Sequence, residues 1–218
     1  ARPPVDAVAL AADIGLAGKT WTSFDVFAGV FDGDGHRISG LTAPLFEVLE
    51  GTLEHVTLEA AFEASGFAGA AAALNGDHAV IRGVSAEVEL SGEGAVGGIA
   101  GRNLGLIENS RVAGSVAAVG EQAAAGGIAG MNAGTIEGAY SRGTVSAAGD
   151  GLGFGAAGGI AGVNEASGGI FHAFSYAEVG AEGPAAAAGG IAAWSFGDIR
   201  FVYATGSVEA GGSVMALG

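Results

Sequence analysis

Apolar and small residues alternate along most of the chain in runs of four to six positions, and glycine or asparagine interrupts these runs. An alternation with a period of two residues is typical of short, half-buried strands. No stretch of helical length carries an apolar stripe at helical spacing. Glycines recur every few residues, and each would destabilise a helix by about 1 kcal/mol. The pattern therefore predicts an all-β protein made of short strands and tight turns.

A five-residue motif repeats four times and gives the pattern its long period. Gly-Gly-Ile-Ala-Gly occupies 97–101, 126–130 and 158–162, and Gly-Gly-Ile-Ala-Ala occupies 189–193. An apolar anchor follows each copy, and weaker copies near the N-terminus supply two more. The six anchors are Leu53, Ile81, Ile107, Ile136, Ile170 and Ile199. Their intervals are unequal, the shortest from Ile81 to Ile107 and the longest from Ile136 to Ile170, which fits insertions into the loops of a repetitive scaffold.

The length of the repeat indicates which kind of solenoid the chain forms. The interval from Ile107 to Ile136 recurs from Ile170 to Ile199, and it is too long for the short steps of a left-handed β-helix. Short strands joined by tight glycine turns close one coil of a parallel β-helix within such a period. We predict a single domain over 1–218, folded as a right-handed parallel β-helix (solenoid) of about seven coils. At about 4.8 Å per coil, the stack would be roughly 35 Å long.

Four asparagines share one position of the repeat, four residues after the isoleucine of the motif or in the equivalent frame. They are Asn75, Asn103, Asn132 and Asn164. The asparagine amide offers two donors and an acceptor, and the residue tolerates left-handed backbone angles. We therefore predict an asparagine ladder between coils, with a polar binding row as the alternative interpretation.

Charge and composition exclude several classes of protein. The 23 acidic and 8 basic residues give a formal charge of −15, and a polyanion is a poor partner for nucleic acid. The absence of cysteine excludes disulfide scaffolds, thiolate zinc sites and cysteine nucleophiles. The longest apolar stretches, such as 185–194, reach about ten residues, whereas a membrane span needs about 18. No charged leader precedes an apolar stretch, so we expect an export signal to be absent or already removed.

The segment 32–36, Asp-Gly-Asp-Gly-His, is the strongest candidate for a metal motif. Two carboxylates two residues apart resemble the start of a calcium loop. Arg37 stands where a further oxygen ligand is expected, and no glutamate closes a 12-residue loop. We predict a tight turn here, with calcium binding as the alternative.

The four histidines are not predicted to form a catalytic or zinc site. His55 and His172 share one position of the repeat but lie four coils apart, about 19 Å, and His36 and His78 occupy other positions. We therefore expect no assembled zinc site and no Ser-His-Asp triad. The glycine motif is not followed by a helix, so we also expect no phosphate-binding loop and no cofactor.

The position after each anchor predicts a ladder of charges. Glu54, Arg82 and Glu108 would lie on consecutive coils with alternating sign, and Glu137 next to Glu108 would break the alternation. Paired carboxylates perform acid–base catalysis in glycosidases, which is the alternative for this pair. We favour a solvated face and predict no catalytic residue.

Aromatic residues suggest a ligand-binding surface. The residues four positions past successive anchors are Arg111, Tyr140, Phe174 and Tyr203. Alternation directs this position outward, so the three rings would stack on the outside of consecutive coils. We favour ring-on-ring packing that stiffens the stack. The alternative is a ligand-binding patch at Tyr140, Phe174 and Tyr203, joined by Trp194 and Phe196.

The repeat resembles a known bacterial family. Gly-Gly-Ile-Ala-Gly-x-Asn-x-Gly-x-Ile, followed by Tyr-Ser-Arg-Gly-Thr-Val at 140–145 or Tyr-Ala-Thr-Gly-Ser-Val at 203–208, resembles the GLUG repeat. That repeat occurs in filamentous-haemagglutinin-like adhesins and in the N-terminal regions of streptococcal-type immunoglobulin A peptidases. Residues 1–50 resemble the opening coils of such proteins, and 51–210 would be GLUG-like repeats. The His-Glu-x-x-His zinc motif of the peptidases is missing.

The resemblance implies a non-catalytic structural or adhesive β-helical scaffold of a bacterial surface or secreted protein. It implies an extracellular or cell-surface location, with a host glycan or an extracellular protein as the partner of the aromatic stripe. We also expect the chain to be part of a longer protein, with end-to-end contact to further coils. The alternatives are an accessory region of a secreted immunoglobulin A peptidase and a polysaccharide-acting β-helix enzyme.

Overall fold

A computed structural model of the chain describes residues 7–212, and these form an all-β parallel solenoid. Strands of one coil pair in parallel with the equivalent strands of the coils before and after it. Residues 7–212 contain no helix, so none of them forms a helix able to cross a membrane. The prediction of an all-β parallel solenoid is confirmed. Each coil contributes one rung to each of three sheets, and the prediction of about seven coils is close.

The first sheet, here called the anchor sheet, carries the predicted anchors. Its eight strands are β1 (Ala7–Ala9), β4 (Val30–Asp32), β7 (Thr52–Glu54), β10 (Val80–Arg82), β13 (Leu106–Glu108), β16 (Thr135–Glu137), β19 (Gly169–Phe171) and β23 (Asp198–Arg200). Register pairs Ile107 with Ile81 and Ile136, one rung above the other. The column of anchors also begins earlier than the sequence predicts, because Phe31 pairs with Leu53.

The second sheet, here called the long sheet, contains the longest strands. Its strands are β2 (Ile14–Gly15), β5 (Arg37–Leu41), β8 (Thr57–Ser65), β11 (Ser85–Gly97), β14 (Arg111–Gly126), β17 (Tyr140–Gly158), β20 (Phe174–Glu182) and β24 (Tyr203–Ala204), with β21 (Ala185–Gly189) paired to β17 and β25 (Val208–Gly211) paired to β20. Loop insertions shift the register between Gly120 and Gln122, where β14 and β17 pair. Further register shifts lie between Glu93 and Ala95 and between Ile38 and Leu41, so the variable repeat length is absorbed at several places along the sheet.

The third sheet, here called the asparagine sheet, follows the glycine motif. Its seven strands are β3 (Phe24–Phe27), β6 (Phe46–Leu49), β9 (Ala72–Asn75), β12 (Ala100–Asn103), β15 (Ala129–Asn132), β18 (Ala161–Asn164) and β22 (Ala192–Ser195). The glycine pair of the motif makes the corner that leads into it. A Cβ on Gly127 would overlap the carbonyl oxygen of Gly159 in the next coil, so only glycine fits.

The interior is a continuous apolar column with a polar ladder along one side. Anchors such as Ile107 and motif isoleucines such as Ile128 are fully buried, and Phe46 is fully buried between the early coils. The asparagine ladder is confirmed. Successive amide nitrogens donate to the next amide oxygen, from Asn75 to Asn103 at 2.7 Å, Asn103 to Asn132 at 2.7 Å, and Asn132 to Asn164 at 2.8 Å. The four amides are fully buried, which excludes the alternative of a surface binding row.

Candidate functional site

The outer surface of the long sheet carries the predicted aromatic stripe. Register pairs Tyr140 with Phe174 and Phe174 with Tyr203, so the three residues lie on consecutive rungs. The next residues in sequence, Ser141 and Ser175, are buried, as strand alternation requires when the aromatic neighbours point outward. The rings of Phe174 and Tyr203 lie 5.1 Å apart.

A fourth aromatic residue, Tyr176, completes this surface, and sequence reasoning did not identify it. Its ring lies 5.5 Å from that of Tyr140 and 5.9 Å from that of Tyr203. The signal was present, because Tyr176 is two residues after Phe174 and alternation places both on one face. Tyr140, Phe174, Tyr176 and Tyr203 together form a surface here called the aromatic patch. The patch thus combines a ring-on-ring stack with an outward surface, since Tyr176 and Tyr203 are 45% and 47% exposed.

The two outermost tyrosines of the patch are linked through their hydroxyl groups. Tyr176 and Tyr203 share a hydrogen bond between the two phenol oxygens. This hydrogen bond raises the pKa of Tyr176 above its usual value, and partial desolvation adds to the shift. The pair therefore holds two rings in a fixed orientation at the surface.

Trp194 does not join the aromatic patch, so the predicted grouping is wrong at this residue. Trp194 follows the corner at Gly189 and Gly190 and lies on β22 of the asparagine sheet. Its ring packs 4.5 Å from that of Phe154. Trp194 also lies against a small apolar cluster that includes Val163. Its role is packing across the junction of two sheets. Phe196 lies in the loop between β22 and β23, away from the long sheet, and is 72% exposed, so it does not join the patch either.

Two arginines adjoin the aromatic patch on the same outer face. Arg111 pairs in register with Tyr140, and Arg142 pairs with Tyr176. Arg111 donates from Nε to the hydroxyl oxygen of Ser85 at 2.8 Å. Among the residues 7–212, neither guanidinium has a carboxylate oxygen within 4.0 Å. The arginines that do have such a partner are Arg37, Arg82, Arg102 and Arg200.

These arginines border a polar groove of about 320 Å³, here called the arginine groove. Its main lining residues are Arg37, Ser85, Glu87, Arg111, Tyr140 and Arg142. Arg37 holds Glu87 at 2.9 Å and Glu59 at 3.3 Å. The hydrogen bond from Arg37 is the main reason that the pKa of Glu87 is lowered, and the charges of Arg111 and Arg142 add to it. The groove therefore presents three guanidinium groups beside one ionised carboxylate.

The charge ladder predicted next to the anchors is present on the anchor sheet. Arg82 Nε lies 3.7 Å from a Glu54 oxygen and 3.2 Å from a Glu108 oxygen. Glu137 pairs in register with Glu108, and its oxygen lies 3.6 Å from Nδ1 of His172. Each of these carboxylates therefore has a basic neighbour, the arrangement of a charge ladder.

The predicted turn at 32–36 is confirmed. The backbone N–H of Asp34 donates to Oδ1 of Asp32 at 2.9 Å, and Asp34 has a φ of 47°. This hydrogen bond is the largest cause of the lowered pKa of Asp32, and a side-chain contact from His55 adds to it. The turn sits at one end of the anchor sheet strand β4.

His55 has assembled acidic partners, contrary to the prediction for the histidines. One oxygen each of Asp32 and Glu54 and one ring nitrogen of His55 lie within 4.8 Å of one another. The prediction failed because it did not place Asp32 on the rung before Glu54, where register puts it. One imidazole and two carboxylates are a donor set suited to a transition metal. Arg82, 3.7 Å from Glu54, places a positive charge beside this set, so a cation would meet repulsion there.

Comparison with known proteins places the fold. The chain is similar to a crystal structure from Bacteroides ovatus that is provisionally assigned as an immunoglobulin A1 protease, with 22% identity and a TM-score of 0.67. That match covers 94% of this chain and 76% of the other. A second structure, named IgA1 Protease, matches with 20% identity and a TM-score of 0.64. There the match covers 95% of this chain but spans only 20% of the other.

These likenesses establish a shared β-solenoid fold. No protein-family model matches the chain, and no curated protein sequence matches it. The resemblance to the GLUG repeat therefore stays a prediction from the residues, whereas the likeness of the fold to immunoglobulin A1 protease structures is observed.

Proposed function

We propose that the chain is a non-catalytic, right-handed β-helical scaffold of a secreted or surface bacterial protein, and that it presents a ligand-binding face on its long sheet. The observation that carries the proposal is the register of the outer face. Tyr140, Phe174 and Tyr203 occupy equivalent positions on consecutive rungs, so the repeat itself builds a continuous binding surface. Aromatic rings of this kind stack on sugar rings or on apolar groups of a protein.

The interior supports the scaffold part of the proposal. Buried anchors and the asparagine ladder connect each coil to the next through both apolar contact and hydrogen bonds. Residues facing outward take no part in this column and are free to bind a partner. A scaffold of this kind gives length and rigidity without a globular core.

The carboxylates that a glycosidase mechanism would need lie against basic side chains of the scaffold. Glu108 lies 3.2 Å from Arg82, and Glu137 lies 3.6 Å from a nitrogen of His172. This supports a structural charge ladder over a catalytic pair.

The parent protein that best fits the comparisons is a secreted peptidase. The chain matches about a fifth of the protein named IgA1 Protease, so it corresponds to a fraction of that protein rather than to all of it. We propose that the chain is an accessory region of a peptidase of this kind, acting at the cell surface or outside the cell. The full reading frame tests this: a metallopeptidase domain on the same polypeptide supports it, and a frame with no peptidase domain contradicts it.

A binding screen tests the scaffold proposal itself. The chain is immobilised and probed with a glycan array and with serum proteins that include immunoglobulin A1. We expect binding without release of sugar or cleavage of protein, and loss of binding in the triple variant Tyr140→Ala, Phe174→Ala, Tyr203→Ala. The matched control is Phe196→Ala with Phe201→Ala, two exposed aromatic residues outside the patch. Catalytic release of product, or equal binding by the triple variant, would overturn the proposal.

A further inference from the structure

We propose that the arginine groove binds the carboxylate of an acidic sugar, while the adjoining tyrosines hold the sugar ring. This inference rests on the proposed function, because it names the ligand class of the same face. It predicts that the long sheet distinguishes acidic glycans from neutral ones of the same backbone.

The distribution of charge is the first reason. Acidic residues outnumber basic ones by 23 to 8, so an arginine placed at random on this surface would be expected to have a carboxylate close by. Arg111 and Arg142 nevertheless form no ion pair. The carboxylate of Glu87 shares their groove but is paired with Arg37, and among residues 7–212 no carboxylate oxygen lies within 4.0 Å of either guanidinium. Both are exposed. Their unused guanidinium donors are complementary to an anion, and a planar carboxylate matches the guanidinium fork.

The arrangement of the two arginines is the second reason. Arg111 and Arg142 lie on adjacent rungs, and Ala113 on the first rung pairs in register with Arg142. The small side chain of Ala113 lines the groove between them. Arg111 is oriented by its Nε hydrogen bond to Ser85, which leaves its terminal nitrogens to face a ligand. The volume of about 320 Å³ lies at the lower end of the roughly 300–1,000 Å³ of small-molecule sites.

The tyrosines give the groove a second kind of contact. Each arginine has a tyrosine at its register position on the following rung, Tyr140 after Arg111 and Tyr176 after Arg142. Rungs are about 4.8 Å apart. A sugar ring lying on the face of a tyrosine would therefore hold a substituent within reach of the neighbouring guanidinium. An acidic monosaccharide, which carries its carboxylate directly on the ring, has this shape.

Glu87 makes the groove selective for modest negative charge. Its carboxylate is ionised and held by Arg37 on one wall of the groove. It accepts hydrogen bonds from sugar hydroxyls, and it repels a densely charged chain of sulfates or phosphates. The groove therefore favours a single carboxylate over a polyanion, which agrees with the formal charge of −15 for the whole chain.

Calorimetric titration of the full chain with matched glycans tests the inference. Sialyllactose is compared with lactose, and an oligogalacturonate with its methyl ester, so that the two sources of a sugar carboxylate are distinguished. We expect at least one acidic ligand to bind ten times or more tightly than its neutral counterpart, with affinity falling as salt increases. The double variant Arg111→Gln, Arg142→Gln should abolish this preference.

Two controls separate the possible failures. Arg200→Gln removes an arginine that is paired with Asp198 outside the groove, and it should leave the preference unchanged. Thermal unfolding of each variant verifies that the fold persists. If acidic and neutral glycans bind equally well, and if this binding is still lost when the aromatic patch is removed, this inference is overturned and the proposed function stays intact. Tighter binding of heparin than of either carboxylate glycan would also overturn it. Absence of glycan and protein binding would overturn both.

Discussion

A single side chain such as Asn132 connects three coils of the solenoid. Its amide oxygen accepts a hydrogen bond from Asn103, and its amide nitrogen donates to Asn164. Asn75 stands at the first position of the ladder, and its own amide oxygen has no hydrogen-bond partner. The coil before it places Leu49 at the paired position, so the ladder begins where an apolar column ends. Internal and terminal asparagines should therefore differ in their contribution to stability.

The substitution Asn132→Ala should be considerably more destabilising than Asn75→Ala. The internal change removes both ladder bonds of Asn132 and leaves a buried donor on Asn103 and a buried acceptor on Asn164 without this partner. Each unsatisfied buried group costs about 1–3 kcal/mol, so we expect a loss of about 2–4 kcal/mol in the free energy of unfolding. Urea denaturation measures it. Equal losses for the two variants would contradict a continuous ladder.

The substitution Tyr203→Phe should lower the pKa of Tyr176. The hydrogen bond between the two hydroxyls favours neutral Tyr176, and its removal should return the pKa toward the usual value near 10. Because the folded-state pKa is raised, the contribution to stability is complete below about pH 10 and is lost as the pH rises through the raised pKa. NMR titration of labelled tyrosine measures the shift. Tyr140→Phe is the control and should leave the pKa of Tyr176 raised.

Strands β14 and β17 of the long sheet depend on glycine at one equivalent position, where the rungs before and after carry Val88 and Ala177. Gly114 and Gly143 pair in register, and their φ angles of 127° and 113° lie in a region that side chains rarely adopt. A Cβ on Gly143 would also overlap the carbonyl oxygen of Gly114. The backbones of β14 and β17 therefore approach each other closely at this position.

The substitution Gly143→Ala should destabilise the fold by about 1–3 kcal/mol, the usual cost of a strained backbone residue, and the steric overlap should add to it. Gly180→Ala is the matched control in the next strand, because a Cβ there meets nothing within 4 Å and its φ is not positive. Differential scanning calorimetry compares the two variants. A melting temperature unchanged by Gly143→Ala would show that this strand conformation is wrong.

The whole molecule combines a strongly acidic surface with one face that carries basic and aromatic groups. The formal charge of −15 accompanies a mean hydropathy of +0.47, and a net charge this far from zero favours solubility through self-repulsion. Against this background, the arginine groove and the aromatic patch lie side by side on the long sheet. Coil stacking brings them together, although Arg111 and Tyr203 are far apart in sequence.

The sequence predicts the stacking of coils well because the positions that face the interior carry the same residue types in successive repeats. The anchors, the asparagine ladder and the Glu54–Arg82–Glu108 contacts all follow from counting positions within one period. Prediction failed where the period is broken. The interval from Phe31 to Leu53 is shorter than any interval between the later anchors, so Phe31 and its neighbour Asp32 were not aligned with the later coils.

The limits of the prediction at the binding face have a similar origin. Tyr176 has no aromatic counterpart at the same repeat position on the previous rung, where Arg142 stands, so the comparison of repeats did not select it. Trp194 was grouped with the patch because the corner at 189–190 was not assigned to a change of sheet. The arginine groove is formed by side chains from several adjacent rungs. Its shape becomes visible only when those side chains are placed in space.

Distance measurements between spin labels test most directly the claim on which the binding face depends, that consecutive coils stack in register. The chain has no cysteine, so single labels can be introduced at chosen sites. Ala61, Glu89, Ser115, Thr144 and Glu178 form one column on successive rungs. The labels of the double variant Ala61→Cys, Thr144→Cys should lie about 14 Å apart, a separation of three rungs. The labels of Ala61→Cys, Glu178→Cys should lie about 19 Å apart, because they are separated by one further rung. Distances that do not increase by one rung spacing would contradict the stack and the face built on it.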